Sequence, residues 1–266
     1  MKPGRTGQAT NVEGITPPDR AARRRVAVVT GGGRGIGAAI SRRLAADGFA
    51  VAVNYSSSAR DAQQLAEEIN ATGGRATAIR ADVADAAQAT ELITATTAAL
   101  GAPTVLVNNA GMNLAGSARK QSPRDWDRVI GVNLSGAFYC THAALPEMYE
   151  IGWGRIVFVS SPSGGRRPAP GMSAYAAAKA GLVGMTRTMA LEVARRGITV
   201  NTVMPGFVDT DIIASGGPGA ARDLAASWPR IPAESVAATV AFLVSEEGGH
   251  ISGEEVGVWL GGPVGI

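Results

Sequence analysis

Short apolar runs rich in β-branched residues alternate with helix-length segments along most of this 266-residue chain. The runs lie at 26–30, 50–55, 76–79, 104–108, 155–160, 198–203 and 255–260. The helical segments between them lie at 35–47, 59–72, 84–100, 123–149, 174–196 and 233–244. Strands and helices in this rhythm form βαβ crossovers, which place parallel strands in one sheet with helices on both faces. The pattern predicts an α/β fold, a doubly wound parallel sheet of about seven strands in one domain, residues 26–266.

The first 25 residues differ from this body in charge and composition. Residues 1–25 carry six basic and two acidic side chains, a net charge of +4, whereas the whole chain carries +3. The body is therefore slightly acidic, and we expect no basic face for nucleic acid on it. Because residues 1–25 are rich in Pro, Gly and Thr and have no hydrophobic periodicity, they are predicted to be a disordered basic extension.

The composition also argues against several other classes of protein. Cys140 is the one cysteine, so no internal disulfide can form, and its apolar helical surroundings favour a buried structural thiol over a nucleophile. His142 and His250 have no other ligand type at metal-binding spacing, so no metal is predicted. No stretch approaches roughly 18 uninterrupted apolar residues, and the N-terminus lacks the apolar core of a signal peptide. We therefore expect a cytoplasmic protein with no membrane partner.

A glycine-rich turn follows the first predicted strand and opens the first predicted helix. Its sequence from Thr30 to Gly37 is TGGGRGIG. Glycines in such a place allow a tight turn and bring backbone N–H groups close to a pyrophosphate at the helix N-terminus. Glycines also occur simply to turn a chain, but this placement in an α/β pattern indicates dinucleotide binding. The spacing of Gly31, Gly35 and Gly37 departs from the usual G-x-G-x-x-G.

Tyr175 and Lys179 lie four residues apart in the fifth predicted helix, so they share one face, one turn from each other. A lysine ammonium beside a phenol stabilises the phenolate and lowers a phenol pKa that is ordinarily about 10. Such a phenol can donate and accept protons near neutral pH. Taken alone, the same spacing can also belong to two unrelated residues of one helix.

Together with other motifs in a fixed order, these features resemble the classical short-chain dehydrogenase/reductase family. The matching motifs are TGGGRGIG at 30–37, NNAG at 108–111, Ser161 after the fifth strand, and Tyr175 with Lys179. Further matches are Asp82-Val83 after the third strand, Asn133, and Pro205-Gly206 after the sixth. The resemblance covers residues 26 to about 262 and implies a single-domain Rossmann fold. Within the family, the chain looks most similar to 3-oxoacyl-carrier-protein reductases.

The resemblance also implies a role for each matching residue. Tyr175 would protonate the carbonyl oxygen during reduction, or deprotonate the alcohol in reverse, and Lys179 would lower its pKa and bind the nicotinamide ribose. Ser161 would hydrogen-bond the substrate oxygen, and Asn133 would hold a water that links Lys179 to solvent. The expected catalytic residues are therefore Ser161, Tyr175, Lys179 and Asn133. The residues expected to bind the cofactor are Gly31, Gly33, Arg34, Gly35, Ile36, Gly37, Tyr55, Ser56, Asp82, Val83, Asn109, Ala110, Gly111, Tyr175, Lys179, Pro205, Gly206, Val208 and Thr210.

The end of the second predicted strand bears on which nicotinamide cofactor is used. An NAD enzyme usually has an Asp there, which binds the ribose hydroxyls and repels a 2′-phosphate. In this chain the position is Tyr55, flanked by Asn54 and Ser56, with no carboxylate. Arg34 is expected to project toward the same region, and Ser56 can donate to a phosphate. NADP(H) is therefore favoured over NAD(H), although Arg34 could instead stack on the adenine or face solvent.

Two departures from the family pattern stand out. Ser161 and Tyr175 are fourteen residues apart, one more than is usual in the family, so the extra residue is placed in the loop at 164–168. This leaves Ser163 as an alternative to Ser161. Trp259 and Leu260 precede two glycines where many relatives have an Asp, which bears on C-terminal packing and subunit contacts.

The substrate is the part of the function that the sequence constrains least. The resemblance implies an acyl-thioester substrate on a carrier protein as one of the open alternatives, with Arg166, Arg167 and Arg196 available to an acidic carrier. Residues 150–153 lack the basic cluster that such reductases often have, so a free small ketone, sugar or polyol stays open. A catalytically silent NADP-binding regulatory or scaffold protein also stays open, because fold alone does not establish activity. The resemblance further places the substrate lid at 212–230 and implies a homotetramer that packs through the helices at 123–149 and 174–196.

Overall fold

The computed structural model describes residues 25–167, 169–208 and 228–260. The predicted basic extension apart from Arg25, Thr210 and most of the predicted lid lie outside these residues. The strands are β1 Val26–Val29, β2 Ala50–Tyr55, β3 Arg75–Arg80, β4 Val105–Asn108, β5 Gly154–Val159, β6 Ile198–Pro205 and β7 Glu255–Val258. The α-helices are α1 Gly35–Ala46, α2 Ala59–Ala71, α3 Ala86–Leu100, α4 Pro123–Ile130, α5 Gly136–Ile151, α6 Ser173–Val193 and α7 Ala233–Val244.

The strands form one parallel sheet in the order β3-β2-β1-β4-β5-β6-β7. The direction in which successive strands are added changes at β1. β2 and β3 lie on one side of β1, and β4 to β7 lie on the other. Val29 at the end of β1 pairs in register with Val53 of β2 and with Val107 of β4. Open α/β sheets bind ligands at such a switch point, beyond the carboxyl ends of the strands. The predicted doubly wound sheet of about seven strands is confirmed.

Apolar side chains cover both faces of this sheet. Every residue of β1 and of β5 is buried. One core, which includes Ile40, lies between the sheet and helices α1, α2 and α7. The other, which includes Leu182 and Cys140, lies against α3, α5 and α6. Burial raises the pKa of the Cys140 thiol to about 12, so this cysteine is a packing residue and stays un-ionised at neutral pH.

The helix predicted at 123–149 is interrupted. A π-helical turn at Gly131–Ser135 separates α4 from α5. Within this turn the Asn133 side-chain amide donates to the Val129 carbonyl oxygen at 2.9 Å, a backbone acceptor of the preceding turn. Such single π-turns insert an extra residue into a helix and re-aim the side chains they carry. Across residues 25–167, 169–208 and 228–260, no helix combines the length and apolar character that crossing a membrane requires.

Candidate active site

A cleft of about 570 Å³ opens beyond the carboxyl ends of β1 to β4, at the switch point of the sheet. Its walls come from the glycine-rich turn, from the ends of β2, β3 and β4, and from α4 with its π-turn. Most residues predicted to bind the cofactor line it: Gly31, Gly33, Arg34, Gly35, Ile36, Gly37, Tyr55, Ser56, Asp82, Val83, Asn109, Ala110 and Gly111. The lining also includes residues that the sequence reasoning did not single out as binders: Asn54, Ser57, Ser58, Ala81, Met112, Arg128 and Val132.

Hydrogen bonds from two neighbouring strands hold the glycine-rich turn in place. Thr30 Oγ1 accepts from the backbone N–H groups of Asn109 and Ala110, at 3.0 Å each. The Asn109 amide donates to the carbonyl oxygens of Thr30 and Gly31, at 2.9 and 3.1 Å. From the other side, Asn54 Oδ1 accepts from the Gly31 N–H at 3.2 Å. The polar residues of the two motifs therefore shape the turn. The first residues of α1, Gly35 to Gly37, line the cleft, so the helix N-terminus lies at its wall.

Three glycines are required by the geometry of this turn. Gly31 and Gly35 have φ angles of +59° and +52°, in the left-handed region that residues with a Cβ rarely adopt. A Cβ at Gly37 would collide with the Gly31 carbonyl oxygen and would stand 2.6 Å from the Asn109 amide nitrogen. Gly37 thus allows α1 to begin directly against the turn. Because this close backbone approach is what a pyrophosphate needs, the residues present fit a dinucleotide.

The turn between β2 and α2 contributes hydroxyl groups, and no carboxylate, to the lining of the cleft. Tyr55, Ser56, Ser57 and Ser58 lie there, and Arg34 lines the same cleft from the glycine-rich turn. Ser58 is the N-cap of α2 but makes no capping hydrogen bond through its side chain. A helix N-terminus also favours negative charge. This end of the cleft therefore offers hydroxyl donors, a guanidinium and a helix N-terminus to a phosphate.

Asp82 and Arg128 form an ion pair in the wall of the cleft. Arg128 Nη1 lies 2.9 Å from Asp82 Oδ2, and the two side chains are 44% and 29% exposed. Asp82 Oδ1 accepts from the Ala84 N–H at 3.1 Å, so the carboxylate is oriented from two sides. Sequence reasoning missed Arg128, because α4 is far from β3 along the chain and no motif marks the contact.

Tyr175 lies in the first turn of α6 and is 7% exposed. Ser161, two residues after the end of β5, is its polar neighbour in this place. Burial raises the pKa of Tyr175 above the ordinary value, and the Ser161 side chain opposes this rise. The net direction is opposite to the lowering expected from Lys179, because the loss of solvation dominates. The Ser163 N–H donates to Ser161 Oγ at 3.3 Å, so the backbone of the following loop orients this hydroxyl.

Lys179 lies one helical turn from Tyr175 and is 3% exposed. Its Nζ is 5.5 Å from the centre of the Tyr175 ring and donates to the Val159 carbonyl oxygen at 2.8 Å. Burial lowers the pKa of Lys179 to about 8. The ammonium is therefore still mostly protonated at neutral pH, where its charge favours an ionised phenol beside it.

Asn133 is held next to this pair by the π-turn. Its amide donates to the Met112 carbonyl oxygen at 2.7 Å, and its Oδ1 accepts from the Met112 N–H at 3.4 Å. A Cβ at Gly111 would stand 2.9 Å from Asn133 Oδ1 and 3.5 Å from Lys179 Nζ. The fold thus brings Asn133, Lys179 and the loop after β4 into one place, and only a glycine fits between them.

Pro205, Gly206 and Val208 lie at and after the end of β6, outside the lining of the cleft. Two tryptophans cover this point, since a Cβ at Gly206 would stand 2.8 Å from Trp259 Cβ and 3.3 Å from the Trp228 ring. The two rings meet edge to face, with centroids 6.0 Å apart. These three predicted cofactor-binding residues therefore lie apart from the others, outside the cleft that the glycine-rich turn lines.

Comparison with known proteins gives the family. The model of the family described as short chain dehydrogenase matches residues 25–219. The chain belongs to this short-chain dehydrogenase family. The 3-oxoacyl-[acyl-carrier-protein] reductase FabG of Staphylococcus aureus is 39% identical over 235 residues, which cover 87% of this chain and 95% of that protein.

Two solved structures show the same relationship. A short chain dehydrogenase from Burkholderia cenocepacia in complex with NADP is 40% identical, with a TM-score of 0.82 over 89% of this chain and 96% of that chain. A blue fluorescent protein from a metagenomic library in complex with NADPH is also 40% identical, with a TM-score of 0.81 over 88% and 96%. The resemblance drawn from the motifs is confirmed. As a short-chain dehydrogenase, the protein is an oxidoreductase that acts on CH–OH groups with a nicotinamide cofactor.

Proposed function

We propose that this short-chain dehydrogenase interconverts a ketone and a secondary alcohol, with NADP(H) as cofactor and Tyr175 as the acid and base. The observation that carries the proposal is the buried Tyr175 phenol, one helical turn from Lys179, whose Nζ lies 5.5 Å from the centre of the tyrosine ring. Ser161 is its other polar neighbour. The Tyr175 phenol can donate and accept a proton. Ser161 is its neutral partner and Lys179 its cationic one. A proton donor, a hydroxyl and a cation in one place suit a reaction that forms or consumes an alkoxide.

Each residue has a separate task in reduction. Tyr175 gives its proton to the carbonyl oxygen as the C–O double bond becomes a single bond, and Ser161 donates a hydrogen bond to the same oxygen. Lys179 stabilises the phenolate that is left, because it is still protonated at neutral pH. Asn133, beside Lys179, holds the path along which the proton is replaced. The nicotinamide ring supplies or accepts the hydride.

The proposed preference for NADP(H) rests on the turn after β2. A 2′-phosphate there would meet the Ser56 hydroxyl and the α2 N-terminus, with Arg34 in the same cleft. Residues 55–58 of this turn include no carboxylate to repel it. The two solved relatives in complex with NADP and NADPH support this preference.

The substrate that we propose is a 3-oxoacyl thioester, the class named in the reductase of Staphylococcus aureus. A free ketone, sugar or polyol is the second candidate, and one observation favours it. Arg166, which an acidic carrier protein would need, lies 3.6 Å from Glu255 and over the Trp259 ring. Arg196 lies over the Tyr149 ring. Both cations are therefore partly engaged within the chain.

We further infer a homotetramer in the cytoplasm. Phe138 on α5 and Leu191 on α6 are 43% and 83% exposed, which supports subunit packing through these two helices. Sedimentation equilibrium measures the subunit number directly, and a monomer would contradict this assembly.

Oxidation of NADPH in the presence of acetoacetyl-CoA tests the proposal, with NADH and Tyr175→Phe run in parallel. We expect turnover with NADPH, weaker turnover with NADH, and a loss of at least about 10²-fold in the variant, which keeps the ring but has no proton to give. NADPH binding by the variant, followed by fluorescence, should be retained. A preference for NADH would refute the proposed cofactor, and an active Tyr175→Phe enzyme would refute the proposed acid.

A further inference from the structure

Asn113 carries a buried amide that has no hydrogen-bond partner. The residue is 5% exposed, and in the part of the chain that the structure describes neither Nδ2 nor Oδ1 makes a hydrogen bond. Buried polar groups are nearly always paired, because an unpaired one loses its bonds to water without replacement. An amide with both ends unpaired needs a partner from outside the described chain, and a ligand can supply one.

Asn201 shows what a buried structural asparagine looks like in the same fold. It is fully buried, its amide donates to the Ile251 carbonyl oxygen at 2.7 Å, and its Oδ1 accepts from the Glu254 N–H at 3.1 Å. Both ends of this side chain tie β6 to the segment before β7. The Asn113 amide makes no such link between segments of the described chain, so a structural role does not account for its burial.

The position of Asn113 points to the substrate. The preceding residue, Met112, is held by the Asn133 side chain, and a few residues later the Gly116 N–H donates to the Gly171 carbonyl oxygen at 2.9 Å. Asn113 thus stands on a loop that runs from the π-turn to the start of α6, which carries Tyr175.

Contacts just before Asn113 place this part of the loop beside the catalytic residues. A Cβ at Gly111, two residues earlier, would stand 2.9 Å from Asn133 Oδ1 and 3.5 Å from Lys179 Nζ. Met112 lines the cofactor cleft and packs partly against the apolar core. Asn113 therefore follows directly on the segment that approaches Lys179.

We propose that the Asn113 amide donates a hydrogen bond to the thioester carbonyl of a 3-oxoacyl substrate, and so selects a 1,3-dicarbonyl compound over a simple ketone. The amide is neutral and offers a donor, which suits a second carbonyl oxygen two carbons from the one that Tyr175 protonates. A site built to bond a polar group discriminates strongly against an analogue without that group. This inference rests on the proposed function and names the feature of the substrate that the site recognises.

Two matched substrates test the inference. Acetoacetyl-CoA and S-(3-oxobutyl)-CoA carry the same ketone and the same CoA, but a CH₂ replaces the thioester carbonyl in the second. Asn113→Leu should lower kcat/KM for acetoacetyl-CoA by about 10- to 100-fold, the range for removing a partner of a buried polar group. It should change kcat/KM for the thioether by less than about threefold. An equal fall for both substrates would overturn the inference.

Asn113→Asp tests which end of the amide acts. The carboxylate keeps the shape of the side chain but has no N–H to donate. Turnover of acetoacetyl-CoA should fall at least as far as in Asn113→Leu. Retained turnover would contradict a role for the Nδ2 donor.

Thermal unfolding gives a result that does not depend on activity. Replacing an unpaired buried amide by an apolar side chain of similar shape is neutral or stabilising, so Asn113→Leu should keep the wild-type Tm within about 2 °C or raise it. Asn201→Leu, the matched control, should lower Tm by several degrees. An equal loss in both variants would show a structural partner for Asn113 and end the inference. If wild type turned over neither CoA compound while it bound NADPH, the proposed function itself would fail.

Discussion

The buried Lys179 predicts how stability changes with pH. In the folded protein its pKa is lowered to about 8, whereas in the unfolded chain it returns to about 10.4. Below pH 8 both states carry the charge, and the full cost of burying it is present. Between pH 8 and 10.4 the folded lysine is neutral and the unfolded lysine is still protonated. The unfolded state then binds more protons, so the free energy of unfolding rises with pH across this window.

The magnitude follows from the two pKa values. One unit of pKa corresponds to about 1.4 kcal/mol, so the buried charge lowers the free energy of unfolding by about 3 kcal/mol at pH 7 and about 2 kcal/mol at pH 9. Lys179→Met removes this charge, and also the hydrogen bond to the Val159 carbonyl oxygen, a loss of about 1 kcal/mol that does not depend on pH. The variant should therefore be more stable than wild type by about 2 kcal/mol at pH 7.

Urea denaturation of wild type and Lys179→Met at pH 7, 8 and 9 measures this difference. The advantage of the variant should shrink by about 1 kcal/mol between pH 7 and 9, because only wild type gains stability as Lys179 becomes neutral. Other titrating groups cancel in the comparison. A difference that stays constant with pH, or grows, would refute the lowered pKa of Lys179.

Three further changes test the cofactor cleft. Gly37→Ala would press a methyl group against the Gly31 carbonyl oxygen and should lower the free energy of unfolding by about 1–3 kcal/mol; an unchanged urea midpoint would contradict this. Arg128→Met should weaken NADPH binding about three- to thirtyfold in a fluorescence titration, because it releases the carboxylate at the end of β3. Arg124→Met on the same exposed helix face is the control, and equal effects would count against the ion pair. Ser56→Asp should shift the ratio of kcat/KM from NADPH toward NADH, since a carboxylate there repels a 2′-phosphate; an unaltered ratio would argue against a phosphate site at this turn.

The fold was accessible from the sequence because its signal is local. The runs that became β1, β4 and β5 are buried along their whole length, and only a sheet covered on both faces can bury them. The glycine-rich turn was equally clear, since Gly31 and Gly35 meet a backbone requirement that no other residue meets without strain. Element ends were less accurate, as in β7, which stops at Val258 and not at 260.

The rest of the site depends on contacts between distant segments, which spacing does not reveal. The π-turn at Gly131–Ser135 carries a side chain that bonds the helix backbone, and hydrophobic periodicity does not record it. Arg128 meets Asp82 only because α4 crosses the end of β3. The direction of the Tyr175 pKa was also missed, because the sequence shows the neighbouring lysine but not the depth of burial. Asn113 became visible only as a buried amide without a partner.

Transfer of deuterium from NADPH labelled at both C4 positions tests the central claim most directly. Incubation with acetoacetyl-CoA, followed by mass spectrometry of the acyl product, should place one deuterium on the carbinol carbon with wild type and almost none with Tyr175→Phe. Such a result would establish hydride transfer to a 3-oxoacyl ketone that depends on the Tyr175 proton. Unlabelled alcohol, or full labelling by the variant, would contradict the proposed chemistry.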